Sequence, residues 1–235
     1  MKSCILILIF LSTLLSCSPK KIKGTGKSLS KGSVKKGSLK NGRRFPKKGD
    51  NFKYFSKLTY FINGRAWVHS KVCDATLDAY KDCKQSMPNR NFMIMECSHK
   101  KGGKMFPHRT HQNGTSIDFA VPLKKNKKPY HGDQWKGIWH YGMRFDEKGR
   151  CKGNKNISID FEDMAKHILA IEKAARKRKM YIKKVLLKIN LKDDFFSTPS
   201  GIEVKEKEIY FAKYLPPAID NVHDDHYHID FGFLK

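Results

Sequence analysis

Two histidine-rich segments, more than a hundred residues apart, constrain this 235-residue chain more than any other feature. The first reads HRTHQNGTSID over residues 108–118, and the second reads HDDHYH over residues 223–228. Side chains alternate between the two faces of a β-strand. The second segment and its continuation therefore predict a terminal strand with His226, His228 and Asp230 on one face and apolar side chains on the other. The polar face would carry the side chains of a functional site, and the apolar face would pack in the hydrophobic core.

The aspartate that ends the first segment lies in a similar pattern. Residues 116–122 alternate as a strand, and Asp118 stands between two large apolar neighbours. A carboxylate in such a position is costly to bury unless it is paired or bound to a cation. Imidazole nitrogens and a carboxylate oxygen suit zinc, and a hydrolytic zinc site uses three such ligands and one open position. His111, Asp118 and His228 can supply the three ligands. Although a single His-x-His pair is a weak signal, two linked motifs are a strong one.

The remaining globular sequence predicts helices and strands in mixed order. Residues 123–157, rich in Lys, Gly and Asn, predict an extended insertion rather than a regular element. Such an order indicates an α+β fold with a central, mostly antiparallel sheet, flanking helices and the active site on the sheet face. The predicted helices are 71–85 and 160–179, and the predicted strands are 92–96, 116–122, 179–190, 201–204, 208–211 and 225–231.

The first seventeen residues predict an export signal. Lys2 precedes an apolar run over residues 5–15, which is too short to cross a membrane as a permanent helix. The ending Leu14-Leu15-Ser16-Cys17 resembles a bacterial lipobox, which implies cleavage before Cys17 and lipidation of its sulfur. The predicted location is the bacterial envelope, with the lipid anchor most simply in the outer membrane and the domain facing the periplasm. An ordinary cleaved signal with an incidental cysteine is the alternative.

The net charge of +26 is concentrated after that signal. Residues 18–50 hold twelve Lys or Arg against one Asp, and they contain few large apolar side chains. This composition predicts a disordered basic linker over residues 18–51 and a globular domain over residues 52–235. The linker could be a solvated spacer or could bind anionic lipid or polymer.

Four cysteines of the globular part predict disulfides. Cys73, Cys83, Cys97 and Cys151 are an even number in an oxidising compartment. Cys73 and Cys83 would lie about 15 Å apart on one helix, beyond the reach of about 7 Å that a disulfide allows. Each would then pair with Cys97 or Cys151. Four unpaired buried thiols are the alternative if the chain is not exported.

The two histidine motifs resemble those of a known family. H-x-x-H-Q-x-G-x-x-x-D followed by H-x-x-H-x-H is similar to the penicillin-insensitive murein endopeptidases, which belong with the lysostaphin-type and D-Ala-D-Ala zinc metallopeptidases. The resemblance covers roughly residues 52–235 and is tight at the two motifs. It implies a zinc peptidase domain. Position by position, it implies zinc bound by His111, Asp118 and His228, with His226, His223 and His108 in catalysis.

The resemblance predicts a zinc-dependent endopeptidase that hydrolyses the peptide cross-links of peptidoglycan. A D-Ala-D-Ala carboxypeptidase of the same group is the near alternative, although the chain lacks the E-x-W-H ending that the resemblance associates with carboxypeptidases. A non-catalytic wall-binding lipoprotein is a second alternative. A basic nucleic-acid-binding or nuclease protein is a third, suggested by the charge. Export argues against nucleic acid, so peptidoglycan and the membrane are the expected partners.

Overall fold

The computed structural model describes residues 26–234, which form thirteen strands and five α-helices. The strands are β1 (Leu29–Ser33), β2 (Lys36–Lys40), β3 (Arg43–Arg44), β4 (Phe52–Tyr54), β5 (Trp67–Val68), β6 (Phe92–Ile94), β7 (Ser116–Ala120), β8 (Leu123–Lys125), β9 (Lys128–Tyr130), β10 (Arg150–Cys151), β11 (Asn154–Ile159), β12 (Met180–Leu186) and β13 (His226–Phe233). The helices are α1 (Ser70–Ser86), α2 (Phe161–Arg176), α3 (Lys192–Phe196), α4 (Pro199–Glu206) and α5 (Pro217–Asp220).

A five-stranded sheet forms the centre of the fold. Its strand order is β12-β13-β7-β6-β4, so the two strands with histidine-motif residues are neighbours in its interior. Only the β4–β6 pair is parallel in this sheet, and the other pairs are antiparallel. The predicted α+β class with a mostly antiparallel central sheet is confirmed.

Helices α1 and α2 pack on the sheet face opposite the histidines. Asp160 caps α2 because its side chain accepts a hydrogen bond from the Asp163 amide. Tyr80 of α1 stacks on His167 of α2 with ring centroids 5.0 Å apart. The His167 Nδ1 atom lies 2.5 Å from the hydroxyl of Tyr227 on β13. This aromatic contact fixes the apolar side of the strand whose other side bears His226 and His228.

The predicted alternation of the terminal strand is confirmed by its register. His228 pairs with Asp118 and Asp230 pairs with Ser116, whereas Tyr227 pairs with Phe119 on the opposite face. The predicted helices at 71–85 and 160–179 correspond to α1 and α2. The predicted strands at 92–96, 116–122, 179–190 and 225–231 correspond to β6, β7, β12 and β13.

The two short strands predicted late in the chain are wrong. Residues 201–204 lie in helix α4, which begins at Pro199 and is capped by the Thr198 hydroxyl accepting from the Gly201 amide. Proline in the first turn and threonine before it are a helix-start signal. Residues 208–211 do not form a strand, although Phe211 makes an isolated bridge to Val185.

The segment 123–157 was expected to lack regular structure, and this expectation is wrong. It contains a second sheet of four strands in the order β10-β11-β8-β9. Strands β8 and β9 form a hairpin through Asn126 and Lys127, whose φ angles are 51° and 63°. Two consecutive left-handed residues give the tight turn that suits a two-residue hairpin. Asn126 was the available local signal for this turn.

The predicted disorder of residues 18–51 is wrong where the structure describes them. Strands β1 and β2 form a hairpin, β3 pairs with β5, and both Leu39 and Phe45 are buried. The ordered fold thus begins before residue 52. Residues 18–25 and the predicted signal with Cys17 lie outside the described residues. Within residues 26–234, no helix combines the length and the apolar character needed to cross a membrane.

The four cysteines are buried and free, so the predicted disulfides are not formed among the described residues. Cys73 and Cys83 both lie on α1, as expected. Burial raises the pKa of each of these two thiols to about 12. They therefore remain protonated near neutral pH and fill the core as small apolar groups.

The buried imidazole of His167 predicts acid sensitivity of the fold. Burial lowers the pKa of His167 to about 3, so below about pH 6.5 the unfolded chain binds a proton that the folded chain does not. Stability therefore falls as the pH falls through this range, by about 2 kcal/mol between pH 6.5 and 4.5. We expect the free energy of unfolding of His167→Gln to lack this contribution to its fall between pH 6.5 and 4.5. Urea unfolding of both proteins at several pH values measures it, and equal slopes would contradict the prediction.

Candidate active site

The pairing of β7 with β13 creates the centre of the candidate site. Asp118 and His228 are directly opposite each other, and the Asp118 Oδ1 atom lies 2.7 Å from His228 Nδ1. Both side chains are almost fully buried. Because the opposite faces of both strands bear apolar residues, the sheet holds this polar pair on its open face without disturbing the core.

A loop between β6 and β7 brings two more imidazoles to Asp118. The His111 Nε2 atom lies 3.2 Å from Asp118 Oδ2, and His108 Nδ1 lies 3.8 Å from the same oxygen. The rings of His111 and His228 are perpendicular, with centroids 4.7 Å apart. Three imidazoles from two distant parts of the sequence thus surround one carboxylate.

The donor set fits a metal ion. The ligand atoms of His108, His111 and Asp118 lie within 4.8 Å of one another. Among the described residues, the buried Asp118 Oδ2 and His111 Nδ1 atoms have no hydrogen-bond partner. Buried polar atoms are normally paired, so these two point to a bound group. Nitrogen and carboxylate oxygen together are the ligand chemistry of zinc and related divalent ions.

His228 is oriented from behind by a second carboxylate. Its Nε2 atom lies 2.7 Å from Asp230 Oδ1, which also accepts a hydrogen bond of 2.7 Å from the Ser116 hydroxyl. Lys184 Nζ lies 3.1 Å from the other Asp230 oxygen. Asp230 therefore fixes the orientation of the ring through Nε2, while Nδ1 faces Asp118.

His226 and His223 form a second histidine group beside the first. The His226 Nδ1 atom lies 2.5 Å from Asp225 Oδ1, and the rings of His223 and His226 have centroids 4.8 Å apart. The Nδ1–H group of His223 donates to the Ile219 carbonyl over 2.6 Å. Its Nε2 atom is then the nitrogen with a free lone pair.

The family of the chain follows from a sequence comparison. A profile of the family described as penicillin-insensitive murein endopeptidase matches residues 30–232, which include every residue of the two histidine groups. The chain belongs to this family. The protein is therefore a peptidase whose family acts on murein, and the resemblance noted above is confirmed. A comparison with curated protein sequences finds no significant match.

The peptidase site includes two residues that sequence reasoning missed. Glu96 is buried, contacts His108 Nε2, and pairs with Arg65 over 3.0 Å. The Tyr141 ring lies edge-on to His226 at 5.9 Å, and its buried hydroxyl has no hydrogen-bond partner among the described residues. Glu96 ends a predicted strand, where an acid next to apolar residues was a usable signal. Tyr141 lies in the segment that was expected to be irregular.

The charges of the site stabilise the ionised carboxylate and a protonated imidazole. Burial alone would raise the pKa of Asp118, but His111 and His228 hold that pKa well below its ordinary value. Burial opposes charge on His226, yet the Asp225 carboxylate raises the pKa of His226 above its ordinary value. Burial lowers the pKa of His223 to about 3, so this ring is neutral.

The N-terminal hairpin of β1 and β2 braces the loop that bears His111. The Gln112 amide donates to the Val34 carbonyl over 3.0 Å, and the Leu39 amide donates to the Lys101 carbonyl over 2.9 Å. His111 itself has a φ of 66°, a left-handed conformation that costs energy for a residue other than glycine. The hydrogen bond from the Gln112 amide to the hairpin helps to hold His111 in this conformation.

Six site residues were predicted from the sequence, and the structure brings all six together. His111, Asp118 and His228 meet at the β7–β13 pair, and His108 joins them instead of standing apart as a purely catalytic group. His223 and His226 adjoin this cluster. The division into ligands and catalytic residues stays a prediction.

Two neighbouring glycines offer a test of the hairpin brace. A Cβ on Gly102 would lie 2.2 Å from the Gln112 carbonyl oxygen and 2.7 Å from the Leu39 nitrogen, whereas a Cβ on Gly103 would meet nothing within 4 Å. Both have positive φ, 73° and 85°. We expect Gly102→Ala to speed hydrogen exchange at the Leu39 and Gln112 amides by at least about tenfold, because the hairpin must separate from the loop.

Gly103→Ala is the matched control, since it adds the same backbone strain without the clash. Hydrogen exchange followed by mass spectrometry compares the two variants with the parent protein. Equal protection of the two amides in both variants would show that the hairpin does not depend on this contact.

Proposed function

We propose that this protein is a zinc-dependent endopeptidase that hydrolyses peptide cross-links of peptidoglycan, with His111, Asp118 and His228 as zinc ligands. The main supporting observation is the buried Asp118 carboxylate, which lies among three imidazoles and retains an oxygen without a hydrogen-bond donor in the described part of the chain. The family match supports the reaction class. When bound, zinc would lower the pKa of a water molecule and polarise the scissile carbonyl.

His228 is the better third ligand than His108. Its ring is 2% exposed and is held between Asp118 and Asp230, whereas the His108 side chain is 19% exposed. The Nδ1 atom of His228 is also closer to the Asp118 carboxylate, at 2.7 Å against 3.8 Å for that of His108. His108, held by Glu96, is suited to contact substrate at the open side of the site.

His226 is the proposed proton carrier. Its contact with Asp225 favours the protonated ring, so His226 can take a proton during attack on the peptide carbonyl and give it to the departing amine. Neutral His223, with its Nδ1–H on Ile219, offers Nε2 as an acceptor for a substrate N–H or a water. The two rings are therefore suited to different tasks.

Tyr141 is the proposed donor to the developing oxyanion. Its hydroxyl is buried and unpaired among the described residues, and its ring contacts both Phe55 and His226. Burial, Glu96 and Asp118 raise the pKa of Tyr141, so the hydroxyl keeps its proton. A fixed neutral donor beside the reacting centre stabilises negative charge that develops on a carbonyl oxygen.

The reaction is tested with the full chain and purified cross-linked muropeptide dimers, with and without zinc, followed by mass spectrometry. Conversion of dimer into two monomers, lost on chelation and in His228→Ala, is the expected result. Loss of one terminal D-Ala would identify a carboxypeptidase instead. Stoichiometric zinc without either product would favour a non-catalytic wall-binding protein.

The ligand assignment predicts different metal contents for two alanine variants. His228→Ala should lower zinc affinity at least about 100-fold, because it removes a ligand from a three-ligand set. His108→Ala should keep stoichiometric zinc and lose activity. Metal analysis after dialysis measures this, with His223→Ala as the control. Zinc retained by His228→Ala and lost by His108→Ala would instead assign His108, His111 and Asp118 as the ligands.

Removal of the Tyr141 hydroxyl should lower kcat more than it changes KM. We expect Tyr141→Phe to reduce kcat about 100-fold with KM changed less than about twofold, because the lost hydrogen bond acts in the transition state. Tyr60→Phe is the control, since that hydroxyl donates to the Phe45 carbonyl outside the site. Equal kcat values for Tyr141→Phe and the parent enzyme would exclude the proposed role.

We also propose export and lipid anchoring through Cys17, in the outer membrane with the domain facing the periplasm. The support is the apolar run over residues 5–15 and the Leu-Leu-Ser-Cys ending. Mass spectrometry of the mature N-terminus should find lipidated Cys17, and Cys17→Ala should leave the membrane fraction. An unmodified N-terminus on the mature chain would contradict the anchor.

A further inference from the structure

Exposed lysines lie on the N-terminal hairpin and on the loop that bears His108 and His111, which are joined by backbone hydrogen bonds. This lysine surface consists of Lys31, Lys35, Lys36, Lys40, Lys100, Lys101 and Lys104. Backbone hydrogen bonds join its two halves, because Leu39 bonds to Lys101 and the Gly103 amide donates to the Gly37 carbonyl. The lysines of the hairpin and of the loop are therefore neighbours in space.

The lysine surface lacks compensating charge from within the described chain. Residues 26–49 and 97–113 contain no Asp or Glu. Within residues 26–234, none of the seven lysines takes part in an ion pair, and Lys100 contacts the Trp67 ring instead. Like charges on neighbouring segments repel one another, which destabilises the compact state unless an anionic partner offsets the repulsion.

The hairpin contributes little to the hydrophobic core. Within residues 29–40, Leu39 is the one buried side chain, and no residue of strand β1 is buried. The hairpin is held by Leu39 and by its backbone bonds to the loop. The hairpin thus buries few apolar side chains and exposes many lysines. Its side chains are available to contact a partner.

We propose that the lysine surface binds the free carboxylates of peptidoglycan stem peptides next to the cross-link that is cut. This inference rests on the proposed function and extends it from the cleaved bond to the surrounding polymer. The partner is the wall polymer and not a membrane, because the surface adjoins the loop with His108 and His111. Peptidoglycan is the polymer that the proposed reaction cuts, so its free carboxylates come near this loop whenever a cross-link lies in the site.

The test measures binding of the full chain to purified peptidoglycan sacculi by co-sedimentation, with zinc removed by chelation so that the polymer stays intact. Three preparations are compared: native sacculi, sacculi whose carboxylates have been converted to amides with carbodiimide and ammonia, and anionic phospholipid vesicles. The variant replaces Lys31, Lys35, Lys36 and Lys40 by Gln. The control variant replaces four exposed lysines elsewhere, Lys128, Lys155, Lys177 and Lys205, by Gln.

Binding to native sacculi should weaken at least about fivefold in the hairpin variant and less than about twofold in the control, because local charge matters more than net charge. Amidated sacculi should bind the parent chain as weakly as native sacculi bind the hairpin variant. At saturating concentrations of a small soluble dimer, kcat should be equal in the parent and the hairpin variant, which separates this surface from the catalytic site.

Equal weakening in both variants would overturn the proposal, as would unchanged binding to amidated sacculi. A loss that is confined to the vesicles would assign the surface to lipid and also overturn it. If the parent chain cleaves no dimer, the proposed function fails, while the binding comparison still decides whether the lysine surface recognises carboxylates.

Discussion

The antiparallel pairing of β7 with β13 is the constraint on which the rest of the site depends. It places the Asp118 carboxylate opposite His228 in a buried position, where an ionised group is stable only with partners. His111 and His108 approach the same carboxylate from the loop, and Asp230 holds His228 from behind. The apolar faces of the two strands pack under α1 and α2, so the core fixes the register that the chemistry requires.

Much of this arrangement was predictable because it follows local periodicity. The alternation in the terminal strand assigned its two faces correctly, and helical spacing with Asp160 as a cap gave α2. The resemblance of the two histidine motifs to the endopeptidase family implied all six residues that meet at the site. These signals lie within short stretches of sequence, where side-chain direction depends on backbone geometry alone.

The predictions that were wrong depend on contacts between residues that are far apart in the sequence. The hairpin of β1 and β2 is ordered by backbone bonds to a loop about seventy residues later, which its Lys, Gly and Ser composition does not reveal. Tyr141 reaches His226 from a short 3₁₀ helix between β9 and β10, in a segment whose sequence predicts no regular structure. The disulfide prediction followed from cysteine number and compartment, but the four thiols are buried and free.

The position of β13 has a consequence for when activity can arise. This strand occupies the interior of the central sheet, yet it consists of residues 226–233, near the end of the sequence. During synthesis, Asp118 on β7 lacks His228 until β13 has left the ribosome. A nascent chain that stops before residue 226 therefore has the carboxylate without its partner strand, and the two histidine groups cannot yet meet.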